Sequence, residues 1–179
     1  MRELTVDQIT KLLVDAGLLT EEQRLEATIK ERVQRQTLVA EARTKARTMG
    51  GTPPKLTDIG PVAVVASFGF PKPDATRGEK IGEEAIMRAL AARAGLEFRH
   101  IDPLKLDAKL MARVVSRPFA RRHGIVPLSL EDRTVTVATS NPFDQETIRS
   151  LSTLTGFEVK PVVSTQTDIL KVINEFYGF

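Results

Sequence analysis

The chain has 179 residues, of which 41% are hydrophobic and 27% charged, with a net charge of +3 and no cysteine. That composition belongs to a folded chain rather than a disordered one, and it excludes a disulfide framework, a thiolate metal site and a thiol nucleophile. No apolar run approaches the ~18 residues of a membrane span, and the start Met1-Arg2-Glu3-Leu4 lacks a signal peptide's apolar core, so a cytoplasmic protein is expected. The basic surplus is too small to imply nucleic acid, which needs clustered charge. With no Trp and a single Tyr, few platforms exist for stacking bases.

In chain order, Thr5 with Gln8 three residues on forms a capping-box pattern. It opens a helix carrying Ile9, Leu12, Leu13 and Ala16 and closing on Gly17. Thr20 and Gln23 repeat the pattern and start a longer helix over residues 21–48. Its apolar positions are Leu25, Ile29, Val33, Leu38 and Ala42. Arg24, Lys30, Arg32, Arg35, Arg43, Lys45 and Arg47 are expected on a solvated face. These elements make residues 1–50 a helical region. Residues 51–78 read as a Pro/Gly-rich linker: Gly50, Gly51, Pro53 and Pro54 break the chain, and a second Pro/Gly loop spans residues 69–78. Between the loops, the apolar segment 61–68 fits either a helix with Pro61 at its first position or a buried strand.

Residues 79–179 are expected to form an α+β domain. Ile81, Ala85, Ile86, Ala89, Leu90 and Ala94 give an amphipathic helix ending at Gly95. A short extended piece follows, stopped by Asp102-Pro103. Asp107 caps a helix with Leu110, Met111, Val114 and Val115 inward. From Lys109 to His123 no acidic residue interrupts the chain, and Lys109, Arg113, Arg117 and Arg121 fall four apart. Pro118 is expected to break that line. After Gly124, two alternating runs separated by Glu131-Asp132-Arg133 read as a β-hairpin. Asp144 or Asn141 then caps a helix through Ile148, Leu151 and Leu154, ended by Gly156. Residues 157–163 alternate as a strand whose Pro161 favours an edge. Ser164 or Thr165 caps a last helix over residues 168–176. The reading is α+β: a helical N-terminal region, then a small α/β sandwich, a three-stranded mixed sheet with helices packed on it.

Catalytic patterns are missing from the sequence. Neither G-x-x-x-x-G-K-[ST], G-x-G-x-x-G nor G-x-S-x-G occurs. His123 ends a basic helix, where a cation suits the dipole, and reads as a capping or core residue. His100 beside Asp102 is too little for a metal. Glu83 and Glu84 diverge on adjacent helical positions. No catalytic, cofactor-binding or metal-binding residue is therefore assigned, and the chain reads as a binding module, not an enzyme.

Several short motifs together carry a resemblance. Arg117-x-Phe119-Ala120-Arg121-Arg122-His123-x-x-x-Pro127-Leu128, Thr134-Val135-Thr136-Val137-Ala138 with Asn141-Pro142-x-Asp144, and Leu154-Thr155-Gly156-x-x-Val159-x-Pro161-Val162-Val163 are three of them. They resemble the N-terminal domain of bacterial type II secretion and type IV pilus assembly ATPases, the general secretory pathway protein E family. Ile173-Asn174-Glu175-Phe176-Tyr177-Gly178 resembles that domain's last helix. Upstream, Leu12-Leu13-Val14-x-Ala16-Gly17-Leu18-Leu19-Thr20-x-Glu22-Gln23 is similar to a helical repeat at the front of many such ATPases. The resemblance implies a non-catalytic docking domain, cytoplasmic and peripheral at the inner membrane. Its implied partners are the cytoplasmic domain of an inner-membrane platform protein and the chain's own C-terminal ATPase domain, with no nucleic acid and no membrane insertion. ATP and Mg would belong only to that ATPase domain, with no cofactor in this fragment. By analogy the docking surface lies near Arg117, Arg121 and Arg122, and Phe119 reads as core. The alternative is a cyclic di-GMP-binding regulatory module. Residues 8–17 match the family's R-L-G-x-x-L-V-x-x-G motif, but Gln8 replaces the arginine and Thr10 the glycine, which removes bidentate arginine recognition. A second copy near Arg77-Gly78-Glu79-Lys80-Ile81-Gly82 is fainter.

Overall fold

The computed structural model describes residues 4–53 and 55–177. The start Met1-Arg2-Glu3, Pro54 of the first loop and Gly178 of the terminal motif lie outside the described residues. The chain divides into two compact units, residues 4–89 and residues 90 onward.

In the first unit, α1 (Val6–Asp15) and α2 (Glu21–Met49) each begin with the reciprocal cap expected from the sequence. Thr5 Oγ1 accepts from Gln8 N while Thr5 N donates to Gln8 Oε1, and Thr20 and Gln23 do the same. Gly17, at φ 75°, takes the left-handed position that lets the chain turn between the helices. Residues 61–67 resolve the open alternative: they form α3 (Pro61–Ser67) with Pro61 in its first turn, where a missing N–H costs nothing. Val6, Ile9, Leu13, Ala27, Val64 and Val65 are buried.

Polar side chains fasten these helices. Arg24 reaches Asp7 at 2.8 Å, linking α2 to α1, and Gln34 Nε2 donates to Ser67 Oγ of α3 at 2.9 Å. Arg35 Nε donates to the Ile59 carbonyl while its Nη1 meets Glu31 at 2.9 Å. Arg24 and Arg35 are therefore not on a solvated face as the charge pattern suggests. Their side chains are only 23% and 25% exposed, because the narrow apolar surface of Ala27 and Val39 leaves room for long side chains to lie along the packed side. Leu25, Ile29 and Val33, read from the sequence as apolar positions of the helix, are instead exposed. The loop 69–78 is tied at its base, where Lys72 N donates to Glu79 O and Ile81 N to Phe70 O. α4 (Glu83–Ala94) runs across the unit boundary and stops at Gly95, φ 71°.

The second unit continues with α5 (Ala108–Val114), α6 (Arg117–His123), β1 (Ile125–Glu131), β2 (Thr134–Thr139), α7 (Gln145–Thr155), β3 (Glu158–Val163) and α8 (Gln166–Phe176). This is the α+β order read from the sequence. The sheet order is β1-β2-β3, with β1 antiparallel and β3 parallel to β2, so the sheet is mixed. Asp132, at φ 56°, carries the tight hairpin turn, a conformation that Asp tolerates better than most side chains. A bulge at Leu128 shifts the pairing from Pro127↔Val137 to Ser129↔Thr136.

β2 is buried on both of its faces. Val126, Ala138 and Val162 form one cross-strand row, all fully buried, while Ile125, Val135 and Val137 lie on the opposite side and are equally buried. Pro161 sits where its missing N–H is harmless. Val163 N donates outward to Glu97 O, and Arg99 N to Val163 O. Residue 161 has the same parity as 163, so its absent donor would have faced the open edge. Asp144 caps α7 and Thr165 caps α8, which selects between the caps the sequence leaves open.

Candidate docking surface

α6 is a two-turn helix whose orientation is set at both ends. Ser116 caps it by accepting from Phe119 N at 3.3 Å, and Pro118 occupies the first turn. The break from α5 falls at Val115–Ser116, two residues ahead of Pro118, since the proline is accommodated inside the new helix's first turn rather than ending the old one. At the other end Gly124 adopts φ 62°, ψ 45°. A Cβ there would run into Ser140 Oγ, and the Gly124 carbonyl accepts from Ser140 N at 3.0 Å. Glycine is needed for both reasons.

One side of α6 is committed to the fold. Ala120 is fully buried. The Phe119 and His123 rings lie 4.4 Å apart, and Phe119 packs against the unit's core, as the sequence suggests. His123 Nδ1 lies 3.3 Å from Thr147 Oγ1, which in turn donates to Asp144 at the start of α7. His123 thus joins the end of α6 to the start of α7.

The opposite side carries Arg117, Arg121 and Arg122. With about 3.6 residues per turn, Arg117 and Arg121 stack one turn apart and Arg122 lies about 100° round from Arg121, all three outside the arc of Phe119, Ala120 and His123. All three are exposed, and among the described residues none forms an ion pair. Lys109 and Arg113 are exposed as well, on α5, but the extended Val115 separates them from the arginine face.

The sequence reading overlooks the residue that anchors this region. Tyr177 Oη donates to the Val115 carbonyl at 3.2 Å, inside the protein. The end of α8 is thereby pinned to the joint from which α6 departs. Burial pushes the phenol's pKa up to about 12, as expected when the charged form would lose water. The available signal was the chain's only tyrosine, ending an apolar helix: a large side chain with one polar handle.

Among the described residues no group of three or more His, Cys, Asp or Glu side chains could hold a metal. The larger surface depression, about 670 Å³, lies along α7 against Glu146, Arg149, Ser150, Thr153 and Leu154. Leu154 is 74% exposed there rather than buried as its spacing suggests, because α7 turns Thr147 and Leu151 inward. No helix among the described residues is long and apolar enough to cross a membrane. In the cyclic di-GMP-like stretch, Gln8 is occupied in the α1 cap. Thr10 is fully buried and donates to the Val6 carbonyl at 2.7 Å.

Comparison with known proteins agrees with this architecture. Residues 94–179 match the MshEN domain family. A curated relative, the type IV pilus assembly ATPase TfpB of Acinetobacter baylyi, is 27% identical over 89 residues, covering 49% of this chain but 15% of TfpB. The structure of MshE with cdg matches at TM-score 0.55 and 19% identity, covering 94% of this chain and 98% of that one. The N-terminal domain of XpsE matches at TM-score 0.53 and 16% identity, with 97% of each chain covered. The resemblance to the N-terminal domain of type II secretion and type IV pilus assembly ATPases holds. The MshEN match lies in the second unit, and the chain's fold is similar to that of the XpsE N-terminal domain.

Proposed function

We propose that this chain is the docking domain of a secretion or pilus motor ATPase, binding the cytoplasmic domain of an inner-membrane platform protein through α6. The observation that carries the reading is the outward face of Arg117, Arg121 and Arg122, exposed and, among the described residues, without an ion pair, in the region that matches the MshEN domain family. Three guanidiniums on a helix fixed at both ends present a rigid array suited to carboxylates, and arginine forms such contacts bidentately. On this reading the hydrolytic work belongs to an ATPase domain outside these 179 residues, which the likeness to the ATPase TfpB, matched over only 15% of its length, supports. ATP and Mg are needed there only, and the docking places the protein at the cytoplasmic side of the inner membrane.

Titration of the chain with a platform protein's cytoplasmic domain tests this. Saturable binding is expected, weakened at least tenfold by Arg121→Glu with Arg122→Glu at unchanged melting temperature. Unchanged affinity in that variant removes α6 as the surface, and absence of binding by the parent chain removes the docking role.

The second reading, a cyclic di-GMP-binding module of the same ATPases, has in its favour the fold likeness to MshE with cdg. Against it stand Gln8 and Thr10, both consumed by α1's own hydrogen bonds. A ligand held only by the native state raises the melting temperature. No rise at cyclic di-GMP far above micromolar would sink this reading.

A further inference from the structure

The side of α2 turned away from α1 and α3 carries a row that the first unit does not use. Leu25, Ile29 and Val33 are 59%, 78% and 65% exposed. Residues four apart on a helix stand over one another, so the three form one continuous apolar strip rather than scattered surface side chains. A contiguous exposed strip of this kind marks an interaction surface. Extended along the same line, it passes through Gln36 and Ala40 and ends at Arg43 and Arg47. In the other direction it ends at Glu22. All of these are exposed, and among the described residues Glu22, Arg43 and Arg47 form no ion pair.

The strip therefore reads acid, apolar, base from one end to the other, over about 37 Å of helix. Such a strip is complementary to itself when reversed. We propose that α2 is a self-association surface, pairing with α2 of a second copy of this chain as an antiparallel helix pair about a two-fold axis between Arg32 and Val33. Around that axis Ile29 lies opposite Gln36 and Leu25 opposite Ala40, and the Val33 side chains of the two copies flank the axis, about 1.5 Å apart along the helix direction. Glu22 then lies opposite Arg43, with Arg47 one turn beyond. Both acidic ends find basic ends, the apolar middle is covered, and the two helix dipoles oppose each other. A closed two-fold contact uses the same patch on both copies, and Ile29 with Gln36, Leu25 with Ala40 and Glu22 with Arg43 meet that condition by sharing one midpoint, between Arg32 and Val33. The cleft beside the strip, about 280 Å³ between Ile29, Arg32, Gln36 and Leu56, gives side chains of the partner helix a place to enter. The pairing is distinct from the arginine face of α6 and does not depend on it.

The absence of cysteine makes the register directly readable. A single Val33→Cys is expected to oxidise to a covalent dimer of the 179-residue chain, since a disulfide needs Cα atoms within about 7 Å. Leu25→Cys alone and Ala40→Cys alone stay monomeric under the same oxidation, whereas an equimolar mixture of those two gives a cross-linked heterodimer. Equilibrium sedimentation up to about 1 mM chain, where a small interface still populates its dimer, should show reversible dimers that Ile29→Glu abolishes. Glu22→Arg should weaken association about tenfold through its two symmetric contacts, and adding Arg43→Glu should restore it. The proposal is overturned by a parent chain that stays monomeric throughout, by equal cross-linking of all three single cysteines, or by a charge swap that does not restore. A monomeric chain whose binding to the platform domain is lost on Ile29→Glu would assign the strip to that partner instead, and would equally overturn the pairing.

Discussion

The two units spend their apolar residues differently. In the unit from residue 90 onward, β2 buries side chains on both faces: Ala138 in a cross-strand row with Val126 and Val162, and Val135 and Val137 on the other face. In residues 4–89 the longest helix buries only Ala27 and Val39 and turns Leu25, Ile29 and Val33 outward, while arginine and glutamine side chains do the inward fastening. A sheet strand has only two faces and a register shared with its neighbours, so its alternation leaves little choice about what goes inside. A 29-residue helix touching two short ones has several faces, and the one that packs is chosen by its partners.

Paired isoleucine truncations test that contrast most strongly. Ile169→Ala, at a fully buried site on α8, is expected to lower stability in urea unfolding by about 2–5 kcal/mol. Ile29→Ala in a dilute, monomeric chain should stay within about 0.5 kcal/mol of the parent. Equal losses would mean that the α2 strip is structural after all. Next comes Gly124→Ala at the joint of α6 and β1. The left-handed backbone together with the encounter of a Cβ with Ser140 Oγ should cost about 1–3 kcal/mol. A cost near zero would show that the joint relaxes and that α6 is not held by it. Within the helical unit, Thr20→Ala removes the cap of α2 and should cost about 0.5–2 kcal/mol. Its circular dichroism should lose helix before the strands of the other unit unfold.

The smallest effect is at Tyr177. Tyr177→Phe removes one hydrogen bond to Val115 and should cost about 0.5–1.5 kcal/mol at neutral pH. Its titration is the sharper readout, because this is the only tyrosine. The phenol sits near 10 when unfolded and is pushed up to about 12 when folded. A raised folded value means that its stabilisation is fully present below pH ~10 and is lost as pH rises through ~12. Tyrosinate absorbance in native buffer should therefore rise near pH 12, and near pH 10 in denaturant. A native transition near 10 would place the hydroxyl in water and release α6 from its anchor.

Much of this fold was legible residue by residue. Thr5–Gln8 and Thr20–Gln23 announced their caps, Gly95, Gly124 and Gly156 their helix ends, and Pro161 its edge. Each is a local demand met by a local residue, so neighbouring letters suffice to see it. The segment 61–68 was not legible, since eight apolar residues satisfy helix and strand periods alike. The arginine face was half legible. The charge run located it, but whether Arg113 shares a stripe with Arg117 turned on two residues, Val115 and Ser116, whose extended backbone no period announces.

What the sequence by itself determined is therefore the list of elements, their ends, the α+β order and the resemblance to the N-terminal domain of secretion and pilus ATPases. Those follow from short-range sterics, capping and pattern, together with a set of motifs in fixed spacing. What only the tertiary structure decided is which stripe of a helix is inside. Arg24 and Arg35 pack while Leu25, Ile29 and Val33 face water, and Tyr177 reaches across 62 residues to set the joint at Val115. Burial is a property of the partner surface as much as of the side chain, and the partner is distant in the chain.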